Sequence, residues 1–184
     1  MVPKEIFFTR GVGRHKHKLQ SFEAALRDAG IAICNLVSVS SIFPAGCKII
    51  SRRKGIEKLR AGEITYCVLA REETDEPSRR CCAGVGLAVP ASGEHYGYIS
   101  EYHGHGKNQV EVRDLVEDMA ATMLATTLGI EFDPDKAYDE RKEIYRMSGK
   151  IVESRGEVQV AEARDDGKWT TVVAAAVFVT NREG

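Results

Sequence analysis

The sequence predicts an α+β fold built on antiparallel or mixed sheets, and three observations predict it. Apolar runs of strand length are grouped together and then followed by helical runs, instead of alternating with them one by one. The end of the chain reads as a hairpin rather than as a helical crossover. The chain has 184 residues, 43% hydrophobic and 29% charged, which suits one domain with a proper core. No linker, internal repeat or low-complexity tract divides it, so residues 1–184 are taken as a single domain.

The elements follow in order. Ile6-Phe7-Phe8 is too brief for the central apolar region of a secretory signal. Gly11-Val12-Gly13 and the basic run Arg14 to Lys18 read as a solvated loop; as a phosphate-binding fingerprint the pattern fails, because Lys16 stands at the third-glycine position. Phe22, Ala25, Leu26 and Ala29 recur at helical spacing, with Ser21 as the expected cap and Gly30 as the stop. That helix feeds an apolar strand, Ile31 to Val39, which ends at Ser40. Lys54 to Leu59 suggests a helical turn. Ile64 to Ala70 and Cys81 to Val89 read as buried strands, joined by a charged surface loop from Arg71 to Arg80. Tyr96 to Tyr102 is a further strand. Val112, Leu115, Met119, Thr122, Met123 and Thr126 trace one face of a long helix that covers a sheet and stops at Gly129. Asp133 to Ala137 opens a second, polar helix reaching about Tyr145. The closing hairpin turns at Asp165-Asp166-Gly167 and returns through Trp169 to Thr180.

Composition narrows the function. A net charge of −1 leaves no electrostatic footprint for nucleic acid, and no uncharged apolar stretch is long enough to span a bilayer. Neither nucleic acid nor membrane is an expected partner, and a cytoplasmic location is. The five cysteines, Cys34, Cys47, Cys67, Cys81 and Cys82, form no CxxC pair and suit free thiols in a reducing compartment. Cys81 and Cys82 are adjacent strand residues and should pack on opposite faces. His103-Gly104-His105 with His95 would bind a transition metal only if the three converged, and nothing in the sequence obliges a carboxylate to face them. The expectation is no metal.

One junction carries unusual chemistry. Ser40-Ser41 lies where the apolar run Ile31 to Val39 meets the breakers Pro44-Ala45-Gly46. Read alone, a serine pair before a proline is turn chemistry. The Ser41 hydroxyl is nevertheless placed to attack the carbonyl of Ser40 and turn the peptide into an ester. Loss of the Ser41 Cα proton then expels Ser40 as a carboxylate and leaves dehydroalanine, whose imine tautomer hydrolyses to ammonia and a pyruvoyl group.

The segment Asn35-Leu36-Val37-Ser38-Val39-Ser40-Ser41-Ile42-Phe43-Pro44 resembles the self-cleavage segment of pyruvoyl-dependent arginine decarboxylases. The resemblance extends through Ser21 to Leu26, Ala29-Gly30-Ile31, Tyr98 to Tyr102 and Thr171 to Ala176, and so over most of the chain. It implies a four-layer αββα sandwich, assembled as a trimer or a pair of trimers. It also implies self-cleavage between Ser40 and Ser41 into chains 1–40 and 41–184, and decarboxylation of L-arginine to agmatine and carbon dioxide, in polyamine synthesis or acid consumption. The covalent pyruvoyl group made from Ser41 would be the electron sink that amino-acid side chains cannot supply, with no need for pyridoxal phosphate.

The same resemblance assigns three further residues. Glu101 matches the catalytic glutamate and would donate a proton to the substrate Cα, a task favoured by a raised carboxyl pKa. Asn35, five residues before Ser40, matches the functional asparagine and would polarise the scissile carbonyl. Glu23 aligns with the acidic residue of Phe-Asp or Phe-Glu contexts and would bind the guanidinium. By their residue types alone, Glu101 is equally a solvated strand-end charge, Asn35 a polar start to a strand and Glu23 an exposed first-turn acid. Aspartate is the commoner family form at Glu23, and one methylene is worth about 1–3 kcal/mol in discrimination, which leaves the amino-acid substrate open. A noncatalytic oligomeric binding protein of the same fold and a histidine-based metalloprotein are the readings from other classes.

Overall fold

The computed structural model describes residues 1–180, the side chain of Val152 aside, so 181–184 of the expected large chain lie outside the described residues. In chain order the elements are β1 (Glu5–His15), α1 (Lys18–Ala29), β2 (Asn35–Ser38), β3 (Ile42–Phe43), β4 (Lys48–Ile49), α2 (Arg52–Lys58) and β5 (Ile64–Thr74). They continue as β6 (Arg80–Pro90), β7 (Gly97–His105), α3 (Gln109–Thr127), α4 (Tyr138–Met147), β8 (Ile151–Glu162) and β9 (Trp169–Val179). A five-stranded sheet has the order β2-β5-β9-β1-β4, and a four-stranded sheet the order β3-β7-β6-β8. The first is mixed, with β1–β4 and β2–β5 parallel; the second is antiparallel throughout.

Strand β9 shows why the layers form. Its residues are apolar on both faces, as a strand covered on both sides must be. Val172, Ala174, Ala176 and Phe178 meet Cys81, Ala83, Val85 and Leu87 of β6 in the core between the sheets. Val173, Ala175 and Val177 face the other way, onto Ala25 and Ala29 of α1. Beyond the four-stranded sheet, Cys82 and Val158 pack on Val112 and Val116 of α3. Helix, sheet, sheet and helix therefore stack as the expected four-layer αββα sandwich. Cys81 and Cys82 do point to opposite layers, and the cysteines are free thiols.

Several local expectations need correction. Gly11 and Gly13 belong to β1 rather than to a loop. A Cβ on Gly13 would stand 2.1 Å from the Ser21 carbonyl oxygen, so glycine there lets α1 lie directly on the strand. The helix starts at Lys18, with His17 in the cap position; Ser21 is buried inside it, with Oγ 2.6 Å from Thr171 Oγ1. Gly30 ends it as expected, at φ 78°. The strand expected over Ile31 to Val39 is ladder-bonded only from Asn35. Strand β5 runs on through the charged Arg71 to Thr74, where Glu73 is held by Lys18 at 2.8 Å and Arg71 at 2.5 Å, so the connection is only 75–79.

Helix α3 buries a face rotated from the expected one: Val112, Val116, Ala120, Ala121 and Leu124, while Thr126 is exposed. Close approach decides this, because a Cβ on Gly86 of β6 would stand 2.1 Å from the Val116 carbonyl, and small side chains fit so near a sheet. Helix α4 starts only at Tyr138, since residues 134–136 form turns. The closing hairpin does not exist: β8 pairs with β6 and β9 with β1 and β5, so the turn at 165–167 crosses from one sheet to the other. His103 and His105 lie within β7, which runs past the strand end expected at Tyr102. No helix among the described residues is long and apolar enough to cross a membrane.

Candidate active site

Ser40 and Ser41 occupy the step between the two sheets. Before them, β2 pairs with β5, and the Val39 N–H extends that ladder to the Cys67 carbonyl at 3.0 Å. After them, β3 pairs with β7, and the Ile99 N–H donates to the Ser41 carbonyl at 2.7 Å. The peptide between the serines is thus anchored on one side to the edge of the five-stranded sheet and on the other to the edge of the four-stranded one. Pro44 and Gly46 then turn the chain, with a 3.1 Å bond from the Cys47 N–H to the Pro44 carbonyl and Gly46 at φ 67°, a value glycine adopts without cost.

The step itself is tightly turned. The Ile42 N–H donates to the Ser40 carbonyl at 3.0 Å, which closes a three-residue turn centred on Ser41. Among the described residues Ser78 is the one non-glycine with positive φ, so the turn is of the inverse kind, the common and unstrained γ-turn. Ser40 is exposed and Ser41 half-buried. A depression of about 580 Å³ opens beside them, with Val39, Ser40, Ile42, Pro44 and Tyr66 in its walls.

Glu101 joins the serines through β7. Ile99 bonds to Ser41, and alternation brings the side chain two residues on, Glu101, to the same face of the strand. Diagonal neighbours of this kind on an antiparallel pair have Cα atoms about 7–8 Å apart. The glutamate is exposed and lies inside β7, not at its end. Its charge also reaches β5: burial first, then Glu101, then Cys34, push the Cys67 thiol up to about 11.

The other two candidates lie elsewhere in the single chain. Asn35 opens β2 and donates Nδ2 to the Gly62 carbonyl at 2.9 Å. Five extended residues carry the chain about 16 Å from Asn35 to Ser40. Glu23 sits on α1, on the outer face of the five-stranded sheet, and accepts from Arg27 at 2.5 Å. Structure brings Ser40, Ser41 and Glu101 together and leaves Asn35 and Glu23 apart from them.

The histidine motif also finds an unexpected neighbour. Glu72 faces both rings, 3.2 Å from His103 Nδ1 and 3.9 Å from His105 Nε2. Among the described residues no three His, Cys, Asp or Glu side chains form a group able to hold a metal ion. Sequence reasoning missed Tyr66, whose place beside the serines comes from its register with Val37.

Chemically the junction suits a group derived from Ser41. A new amino terminus there would be fixed by β3 on β7, next to a carboxylate and a mainly apolar depression.

Comparison with known proteins agrees with this geometry. The profile of the family described as pyruvoyl-dependent arginine decarboxylase matches residues 5–183. A protein of Chloroherpeton thalassium named probable pyruvoyl-dependent arginine decarboxylase is 54% identical over 178 residues, covering 97% of this chain and 98% of its own. Pyruvoyl-dependent arginine decarboxylase 2 of Methanosarcina mazei is 52% identical over 182 residues, covering 99% of this chain and 100% of its own.

Proposed function

This chain belongs to the pyruvoyl-dependent arginine decarboxylases, and from that premise we propose that it cleaves itself between Ser40 and Ser41 and then converts L-arginine to agmatine and carbon dioxide. The observation that carries the reading is the Ser40–Ser41 peptide itself, held at the crossing of two sheets with Glu101 on the same face of the adjoining strand. The products are chains 1–40 and 41–184, and Ser41 is the source of the pyruvoyl group. Once in place, that group supplies a carbonyl able to accept the electrons released when carbon dioxide leaves.

The remaining chemistry falls to side chains. Glu101 delivers a proton to the substrate Cα, the step that follows loss of carbon dioxide. Val39, Ile42, Pro44 and Tyr66 border the depression and give it apolar walls. Glu23 accepts the guanidinium. Its pair with Arg27 supports this in one respect, since the carboxylate already binds a guanidinium and could exchange one for another without changing its charge. Asn35 orients the carbonyl group of the site.

Because Asn35 and Glu23 lie away from Ser41 in one chain, the complete site requires a homo-oligomer, a trimer or a pair of trimers. An exposed apolar strip supports assembly: Val37, Val39, Ile64 and Tyr66 line the β2–β5 edge that leads to the serines, at 39%, 36%, 60% and 38% exposure. The enzyme then acts in the cytoplasm on a free amino acid, in polyamine synthesis, with neither pyridoxal phosphate nor a metal. Another amino acid is the alternative substrate, because Glu23 is engaged with Arg27 on the outer helix layer.

Intact mass of the purified protein tests the whole reading. Two chains meeting at Ser40 and Ser41 are expected, the larger blocked to Edman chemistry and reduced by borohydride in the presence of arginine. Ser41→Ala has no nucleophilic oxygen and should stay as one chain. An unsplit parent that forms no agmatine would leave a noncatalytic binding protein.

A further inference from the structure

We infer that His103, oriented by Glu72, is the residue through which Glu101 is supplied with the proton it delivers. The inference rests on the proton-donor reading of Glu101 above and extends it to a histidine motif that this reading leaves unused.

Strand β7 sets out the route. Its Ile99 N–H holds the Ser41 carbonyl at 2.7 Å, and Glu101 and His103 follow at two-residue steps on the same face. Each step carries the chain about 6–7 Å, so Glu101 stands between the junction and His103. A glutamate and an imidazole so spaced meet directly or through one water. The intervening Tyr102 lies on the opposite face, against Cys82, Val112 and Val116. His103 is the solvent end of the row, with its side chain 61% exposed.

A strand of the other sheet fixes the imidazole. Glu72 of β5 lies 3.2 Å from His103 Nδ1 and is itself only 19% exposed. A carboxylate accepts and does not donate, so the facing Nδ1 carries the hydrogen and Nε2 is left to take up and release a proton. His105 stands 3.9 Å from the other Glu72 oxygen, which places the carboxylate between two imidazoles. Cys81 of β6 takes no part, because burial first and then the Glu72 charge push its thiol up to about 11 and it keeps its proton.

The reaction creates the need for a supply. Decarboxylation breaks the bond from the substrate Cα to its carboxylate carbon, and the electron pair left behind takes a proton from Glu101 as carbon dioxide departs. One proton is consumed per turnover, and the Glu101 carboxylate must regain it. Substrate over Ser41 covers the side of Glu101 that faces the junction, whereas the His103 side leads out to solvent. His103 gives its Nε2 proton to Glu101 and regains one from bulk water, so atoms and charge balance without a co-reactant.

Processed enzyme at saturating arginine and constant ionic strength tests this, with agmatine formation followed in dilute buffer and then with increasing free imidazole. His103→Gln keeps a polar side chain and cannot relay a proton. In dilute buffer it should lower kcat roughly 100-fold, the lower end of what a positioned proton-transfer group contributes, with KM for arginine and the split at Ser40–Ser41 unchanged. Imidazole should restore most of that loss and leave the parent rate unmoved. It should restore nothing when Glu101→Gln is added, because no carboxylate is left to receive the proton. A parent-like kcat for His103→Gln in dilute buffer overturns the inference. So does a loss that imidazole does not relieve, which would make the Glu72 contact a structural pair, and so does rescue that persists without Glu101. A parent that stays unsplit or forms no agmatine brings down the decarboxylase reading instead.

Discussion

At the scale of single residues, Glu101 and Glu23 differ in what removing them should change. Glu101 neighbours Ser41 diagonally across the β3–β7 pair, so Glu101→Gln should leave the split at Ser40–Ser41 intact and lower agmatine formation by roughly 10²–10⁴-fold, the usual contribution of a positioned acid. Near-normal turnover by processed Glu101→Gln protein would take Glu101 out of the proton-donor role. Glu23 lies on the outside of α1, bound to Arg27. If it recognises the guanidinium, Glu23→Ala should raise KM for arginine about 10- to 100-fold, the worth of a hydrogen bond to a charged group, with maturation unchanged. Unaltered arginine selectivity would make it an ordinary surface helix pair. The residue types at these positions were legible in the sequence; their distances to Ser41 were not, because strand register and layer order set them.

At the scale of elements, close packing outweighed local pattern. Gly11 and Gly13 looked like loop residues beside a basic run, but they are the points where β1 touches the backbone of α1. Gly13→Ala should therefore cost about 1–3 kcal/mol, since the new Cβ meets a carbonyl rather than a side chain that could swing away. A lowered urea midpoint would show it, and an unchanged midpoint would mean that α1 can shift outward freely. The same effect rotated α3. Leu115, Met119 and Met123 are the conspicuous apolar residues of that helix, yet Val112 and Val116 are the ones that fit against Gly84 and Gly86. Helix stops at Gly30 and Gly129 were readable, because positive φ is a local demand that glycine meets.

For the whole molecule, a cut between the two serines would be one that the fold can survive. Chain 1–40 would carry β1, α1 and β2, while chain 41–184 carries the partners of both strands. Strand β1 lies inside the five-stranded sheet, paired with β9 over its whole length and with β4 on its other side, and β2 stays on β5. The two chains should co-elute under native conditions, at the mass of a trimer or hexamer, and separate only in denaturant; a monomer of 20.3 kDa in sedimentation would deny Asn35 and Glu23 any route to Ser41. Exposed apolar residues on the β2–β5 edge would be covered in such an assembly.

By itself the sequence determined the fold class, most of the strands and helices, the family resemblance and the serine junction. All of these rest on periodicity, turn residues or short motifs, which are local properties of the chain. Tertiary structure alone decided that β8 and β9 enter different sheets, that β2 and β3 do likewise across Ser40 and Ser41, and that Glu101 rather than Asn35 lies near the pair. Those outcomes depend on which strands share hydrogen bonds, and partners far apart in the chain leave no mark on the spacing of residues within either one.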